Sequence, residues 1–516
     1  MLDDADRDLM RAFARYIEKA NELVAAEQRA VTTPIGERIG AHLGVDPQTV
    51  PVITEEFPDH RLVDADIALE ELAGTDPDAL VGIAGDDSRF HSSVSEFIAN
   101  PHMRWAPGPV SYATRATGAD TTRRVVSFGL RFLTFDGAPV AVVQRSANPE
   151  YGRGRASLEI LSPDQDAATA FLARLRELMI ERSVLRGQVL SFVQSEYGSD
   201  AGATFLRRPE VDTDDVVLGE GVLDEVVDHV VGIGEQRAAL LAAGQHLKRG
   251  VLLYGPPGTG KTLTIRHLLT RTTGVTAILL TGSSIAAIGS AAEIARTFQP
   301  SLVVMEDIDL VAMERHSSPQ PLLFEVLDAL DGLDGDADVA FVMTTNRVSV
   351  LERALADRPG RVDLAVEIPL PALPERVRLF RRYAGTLPFS EAALTEAAER
   401  AEGTTGSFAK ELMRRSVLGA ALRGAEPADE DLRAALDSLL TERSALTRKL
   451  LGTRSDDNAG EPDDDEDEDE DEVSFSGSYV APLNRVVLRP SESTGGLDLV
   501  LRAPADEDDE DDQSGA

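Results

Sequence analysis

Cysteine is absent from all 516 residues, which removes disulfide frameworks, thiolate metal sites and cysteine nucleophiles from consideration. Histidine is scarce. The eight are scattered, with no pair at i, i+4 and no H-E-x-x-H, which argues against a zinc protease built on two helical histidines. No apolar run approaches the roughly 20 residues that span a bilayer. The acidic opening Met1-Leu2-Asp3-Asp4 is unlike a secretion signal, so a cytoplasmic protein is expected. Lysine is nearly missing too, with five against 46 arginines, a bias of codons rather than of chemistry.

Positive charge is outweighed throughout. Residues 456–472 hold thirteen acids and no base, and residues 506–512 hold seven more. Without those twenty, the net charge of −38 falls to −18. Such a body is ill suited to duplex DNA, where neutralising phosphates supplies most non-specific affinity; no nucleic-acid partner is expected.

What is present is concentrated in one octet, Gly255-Pro256-Pro257-Gly258-Thr259-Gly260-Lys261-Thr262. It fills every slot of G-x-x-x-x-G-K-[ST]. The apolar run Val251-Leu252-Leu253-Tyr254 precedes it as a buried strand. Leu263 opens the helix that follows, with Ile265, Leu268 and Leu269 on one face. A strand, a glycine-rich turn and a helix N-terminus in that order make an anion trap. The glycines let backbone N–H groups converge on phosphates, Lys261 supplies a cation for the β and γ groups, and Thr262 offers a hydroxyl to Mg²⁺. The chain is expected to bind a nucleoside triphosphate with Mg²⁺.

The partners of such a loop follow downstream. Leu302-Val303-Val304-Met305 reads as a buried strand ending in Glu306-Asp307-Ile308-Asp309. One carboxylate there, Glu306, is needed to hold the metal, and the next, Asp307, to orient or deprotonate an attacking water. A second apolar strand, Val339 to Thr344, leads to Asn346, whose amide can reach the γ-phosphate or the water. Arg358 and Arg361, three residues apart on a turn, suit donors to a phosphoryl transition state in a neighbouring subunit.

The ordered set resembles AAA-type ATPases of the clade with the second region of homology. The features carrying it, over about 200 residues, are the loop at 255–262, the acidic strand tip at 306–309, Asp331-Gly332-Leu333, Thr345-Asn346-Arg347 with Leu351, and the arginine pair. The resemblance implies an α/β core with a helical lid, a hexameric homo-oligomer, arginine fingers acting between subunits and Asn346 as a sensor. It places Asp331-Gly332-Leu333 at the subunit interface. The segment Gly403-Thr404-Thr405-Gly406-Ser407 is similar to the family's lid motif near the adenine and ribose.

Two departures stand out. The family usually ends the acidic strand with Asp then Glu, and here Glu306 precedes Asp307. By position, the aromatic–hydrophobic–Gly element that grips a threaded polypeptide falls on Ala287-Ile288-Gly289, which reads equally as a small-residue helix turn.

The expected architecture is α/β: an α+β domain at 1–200, a linker at 201–221, the ATPase core at 222–385, a helical lid at 386–452, and a disordered acidic tail at 453–516. The tail contains a short β-like segment at 473–503, which is either a strand pair that docks back or a recognition segment. Within the first domain, residues 6–30 predict an amphipathic helix, Asp136-Gly137 a hairpin turn, Ser162 the cap of a helix running to about Arg182, and Gln188 to Val193 a closing strand. The expected function is ATP hydrolysis in a ring that remodels or assembles a protein client. The alternative is a slow, nucleotide-gated scaffold presenting acidic tails to partners.

Overall fold

Residues 32–182 alternate β-branched and aromatic runs with turn residues, and they form one antiparallel sheet with helices on both faces. The structure, a computed structural model, describes residues 32–74, 76, 79–85, 87–100, 102–149, 153–193, 202–309, 337–347, 362–441, 487–490 and 497–500, with four positions between 15 and 19. The expected helix at 6–30 therefore lies almost wholly outside the described residues. Strands β1 (Val52–Phe57), β2 (Leu80–Ala84), β3 (Ala106–Gly108), β4 (Ser111–Ala116), β5 (Thr122–Phe135), β6 (Ala138–Arg145) and β7 (Ala156–Leu161) run in the order β1-β7-β6-β5-β2-β3, with β4 also on β5. At the β5–β6 turn both Asp136 (φ 48°) and Gly137 (φ 86°) are left-handed, the geometry that matches the twist of a two-residue hairpin.

One face of this sheet packs against helices α1 (Pro34–Leu43), through Ile35, Ile39, Phe128, Leu130 and Trp105. The other packs against α2 (Leu62–Ala73) and α3 (Gln165–Glu181), through Leu69, Phe171, Leu175, Leu158 and Ile160. The cap of α3 is Asp164, not Ser162: its carboxylate accepts from Asp166 N and Ala167 N at 3.0 and 3.1 Å, because a carboxylate can take two of the free first-turn donors.

Polar residues of β5 do not all face water. Arg131 is 4% exposed and donates to Asp66 of α2 at 2.6 Å; Gln144 donates to the same Oδ1 at 3.1 Å. Burial pushes the Asp66 carboxyl up and the Arg131 guanidinium opposes it. Removing one partner of such a pair strands a charge in the interior.

The second sheet differs from its expected bounds. Strands β8 (Val189–Val193), β9 (Gly202–Leu206), β10 (Arg249–Tyr254), β11 (Thr276–Thr281), β12 (Ser301–Glu306), β13 (Val339–Thr345) and β14 (Leu364–Glu367) lie in the order β14-β10-β13-β12-β11-β8-β9. All pairings are parallel except β8 with β9. The run at 188–193, read as closing the first domain, belongs here: Val189 pairs with Ala277, while Leu190 and Phe192 enter the core beneath helix α5 (Ile288–Thr297). The stretch expected to be a linker supplies β9 and then Val211, Val216 and Leu218, packed on helix α4 (Lys261–Arg271) on the opposite face. An apolar run declares that it will be buried, not which sheet will bury it.

The same limit applies to α6 (Leu373–Ala384). It falls within the span 222–385 expected to be the core, yet Leu379, Phe380 and Ala384 pack with α7 (Glu391–Arg400), α8 (Gly406–Leu422) and α9 (Asp429–Leu440) in a separate helical cluster. Among the described residues no helix is long and apolar enough to cross a membrane.

Residues 456–516 form a separate unit. Within it β15 (Val487–Pro490) pairs antiparallel with β16 (Leu497–Val500), in register from Val487↔Val500 to Pro490↔Leu497. The two acidic runs lie outside the described residues.

Asp66→Ala should lower the stability of the first sheet's body by about 3 kcal/mol. Arg176→Ala, which breaks a pair to Glu55 at an arginine 56% exposed, should lower it by under about 1 kcal/mol. Denaturant unfolding followed by the fluorescence of Trp105, the only tryptophan and 1% exposed, separates the two.

Candidate functional site

Parallel strands present all their C-terminal ends on one edge, and the loops leaving β10, β12 and β13 meet there. The loop after β10 turns through Gly255 (φ 140°), Gly258 (φ 78°) and Gly260 (φ 119°). A Cβ on Gly255 would lie 2.2 Å from Ile368 O, and one on Gly258 would lie 2.8 Å from Ser407 Oγ. Glycine is thus required both by backbone conformation and by close approach.

Lys261 opens α4 and is 6% exposed. Its ammonium donates to Gly255 O and Pro256 O at 2.7 and 2.8 Å, and Thr259 Oγ1 donates to Pro256 O at 2.9 Å. Burial pulls the lysine below its ordinary range; the charges of Asp307 and Asp309 oppose that. Beside it, the Glu306 carboxyl is pushed up by burial, against a hydrogen bond from Thr262, and its Oε1 is buried with no partner.

An unpartnered carboxylate oxygen next to a hydroxyl is an all-oxygen donor set, the kind a hard cation such as Mg²⁺ takes. The residues present fit that ion: Thr262 and Glu306 would hold it.

Asp307 has φ 51°. Its N–H donates to Thr344 Oγ1 at 2.9 Å, and its Oδ1 accepts from Asn346 Nδ2 at 3.1 Å. The structure therefore brings together the loop at 255–263, Glu306, Asp307 and Asn346. Arg358, Arg361, Asp331-Gly332-Leu333 and Leu351 lie outside the described residues.

The cleft between loop and lid has a volume of about 440 Å³. Its walls include Val216, Val217 and Leu218 from the supposed linker, Arg266 from α4, and Leu379, Tyr383, Ser407 and Lys410 from the lid. Most of these were missed in the sequence. Gly406-Ser407 had a signal in the lid motif; Lys410, one of only five lysines, had none beyond its rarity. The segment Ala287-Ile288-Gly289 is a helix turn: a 3₁₀ turn ends at Ala287, and Ile288 opens α5 with its side chain 1% exposed in the core.

A parallel sheet with this loop and this acidic strand tip defines a P-loop nucleotide-binding domain. Residues 251–370 match the model of the "ATPase family associated with various cellular activities (AAA)", and the chain carries an AAA-family ATPase domain. It is 31% identical over 307 residues to an ATP-dependent zinc metalloprotease FtsH of Acidimicrobium ferrooxidans, covering 56% of this chain and 46% of that protein. It is 33% identical over 221 residues to a proteasome-activating nucleotidase of Archaeoglobus fulgidus, covering 39% and 55%. A third relative, a 26S proteasome regulatory subunit 4 homolog of Dictyostelium discoideum, is 34% identical over 159 residues, covering 28% and 36%. The chain spans about half, or less, of the length of these relatives.

Gly255→Ala should destabilise the nucleotide-free protein by about 2 kcal/mol or more, since it adds both a left-handed penalty and a clash with β14's following residue. Thermal unfolding without nucleotide measures it; an unchanged midpoint would show that the loop can relax.

Proposed function

We propose that the chain binds ATP with Mg²⁺ in this cleft and hydrolyses it within a homo-oligomeric ring, a hexamer, to remodel or assemble a protein client. The observation that carries the reading is the meeting on one cleft of Lys261, Thr262 and an Asp307 carboxylate held by Asn346, with the Glu306 carboxylate bonded to Thr262 and its Oε1 unpartnered. Support also comes from the relatives, whose names describe an ATP-dependent enzyme and a nucleotidase. The zinc protease activity in the first name is not carried over, because this sequence has no H-E-x-x-H.

Each residue has a role. Backbone N–H groups of residues 258–263, past the two prolines, face the phosphates at the start of α4, and Lys261 leaves the loop carbonyls to neutralise the β and γ groups. The metal, when bound, offsets the charge that develops on the phosphate oxygens. Asp307 takes the proton of, or aligns, the attacking water, and Asn346 keeps its carboxylate from turning away. Arg358 and Arg361 reach the γ-phosphate of the neighbouring subunit, which makes hydrolysis depend on the ring.

Lys261→Ala should remove ATP binding and with it all turnover. Asp307→Asn should retain binding and lose roughly 10²-fold or more in turnover, the usual scale of a lost general base. Arg361→Ala should bind normally and lose about 10³-fold, the scale of a lost arginine finger. Steady-state phosphate release and equilibrium binding of a fluorescent ATP analogue read all three. A wild-type protein that binds ATP and assembles but releases no phosphate above background would replace this reading with the nucleotide-gated scaffold.

A further inference from the structure

Asp309, two residues beyond Asp307, is 3% exposed and is not among the residues lining the cleft. One of its oxygens, Oδ1, accepts twice from the end of β13: from Thr345 Oγ1 at 2.9 Å and from Asn346 N at 3.2 Å. Thr345 Oγ1 in turn accepts from Arg347 N at 2.9 Å, so the backbone on either side of Asn346 is tied to the same carboxylate. Asn346 then reaches back with Nδ2 to Asp307 Oδ1, and Asp307 N reaches across to Thr344 Oγ1. The result is a closed circuit between the ends of two adjacent strands: Asp309 to the Asn346 backbone, Asn346 side chain to Asp307, Asp307 backbone to Thr344.

We propose that Asp309 is a positioning residue: by anchoring the backbone of Asn346 it fixes, through that side chain, the carboxylate of Asp307 on the cleft. The proposal rests on the hydrolytic role given to Asp307 and assigns Asp309 no contact with nucleotide. Its physical basis is the direction of the bonds. Both donors point at Oδ1, so what the circuit needs at position 309 is an oxygen acceptor at that place. A carboxylate also contributes charge, which the Lys261 ammonium feels. The two contributions are separable. Asp309→Asn keeps the Oδ1 acceptor and removes the charge; Asp309→Ala removes both; Asp309→Glu keeps the charge and displaces the acceptor by one methylene.

The experiment uses the full chain. Amide hydrogen exchange over residues 343–347 is measured by mass spectrometry without nucleotide, alongside kcat, KM and the affinity for a fluorescent ATP analogue. Wild type and Asn should protect the Asn346 amide alike, with kcat within about threefold. In Ala, losing the bond should speed exchange there by about tenfold, the scale of one hydrogen bond. Its kcat should fall about 30-fold, as small misplacements of a reacting group do, with KM and affinity within about threefold. Glu should behave like Ala, which keeps the test alive if Ala fails to fold. In a background of Asn346→Ala, removing Asp309 should cause no further loss of kcat.

Unchanged exchange in both Ala and Glu overturns the proposal, as does an Asn variant as impaired as Ala, which would show that the charge matters instead. A wild-type protein without hydrolysis overturns the catalytic reading of Asp307, and the exchange data still decide whether Asp309 anchors Asn346.

Discussion

The ends of parallel strands are where this domain's chemistry is possible, because only there do several chain reversals meet with their N–H groups and carboxylates facing one volume. β10 ends in a turn whose glycines take left-handed angles, and that turn hands the chain to the N-terminus of α4. The positive end of a helix and a buried lysine then share a small space with two carboxylates just past the end of β12, Asp307 and Asp309. Burial raises the Glu306 carboxyl and depresses the Lys261 ammonium. Each shift has the same source: both groups are held away from water before any ligand arrives, so a divalent cation and a polyanion meet groups already stripped of much of their solvation. The sheet beneath is apolar on both faces, which keeps water from reaching these groups from below.

The sheet is extended beyond β11 by β8 and β9, and β8 follows directly on the antiparallel body at 32–182. The passage between them is well anchored. Asp64 of α2, fully buried, accepts from Arg61 Nε, Ser183 Oγ and Val184 N at 2.7, 2.8 and 3.0 Å. Arg61 lies 5.3 Å above the ring of Phe298, at the end of α5. The cation, the carboxylate and the ring connect a helix of the first body to the residue that ends α5, and a few residues later the chain enters β12.

Legibility in the sequence followed how local the determinants are. The octet at 255–262, the strand tip at 306–309 and Asn346 are each defined by residues a few positions apart, and Pro257 to Thr262, Asp307 and Asn346 line one cleft. The hairpin at Asp136-Gly137 was equally visible, since left-handed turns restrict composition. What failed was assignment between bodies. β8, β9 and α6 have the right periods, yet nothing in a period says whether Leu190 packs on β7 or on β11. Tyr383 and Lys410 were invisible for the same reason, because they reach the cleft only once the lid closes the chain back over it. The buried Arg131–Asp66 pair was hidden by its charge, which normally marks an exposed face.

The unusual order of the acidic tip has a local explanation in the backbone. Glu306 ends β12 in the extended conformation, from which its longer side chain reaches the Thr262 hydroxyl. Asp307 is left-handed at φ 51°, one of two non-glycine residues so placed among those described. That region disfavours most L-residues by roughly 1–2 kcal/mol, and Asp and Asn suffer least because a short polar side chain can bond locally. Here the compensating bonds come from the end of the adjacent strand β13: the backbone N–H is taken by Thr344 and the carboxylate by Asn346. A longer acid at 307 would displace the oxygen that accepts from Asn346, and a shorter one at 306 would fall back from Thr262. The order Glu-Asp is therefore matched to the conformation of its own strand tip. The reach that Asp307 gives up in side-chain length is set by a backbone turn that Asn346 and Thr344 hold in place.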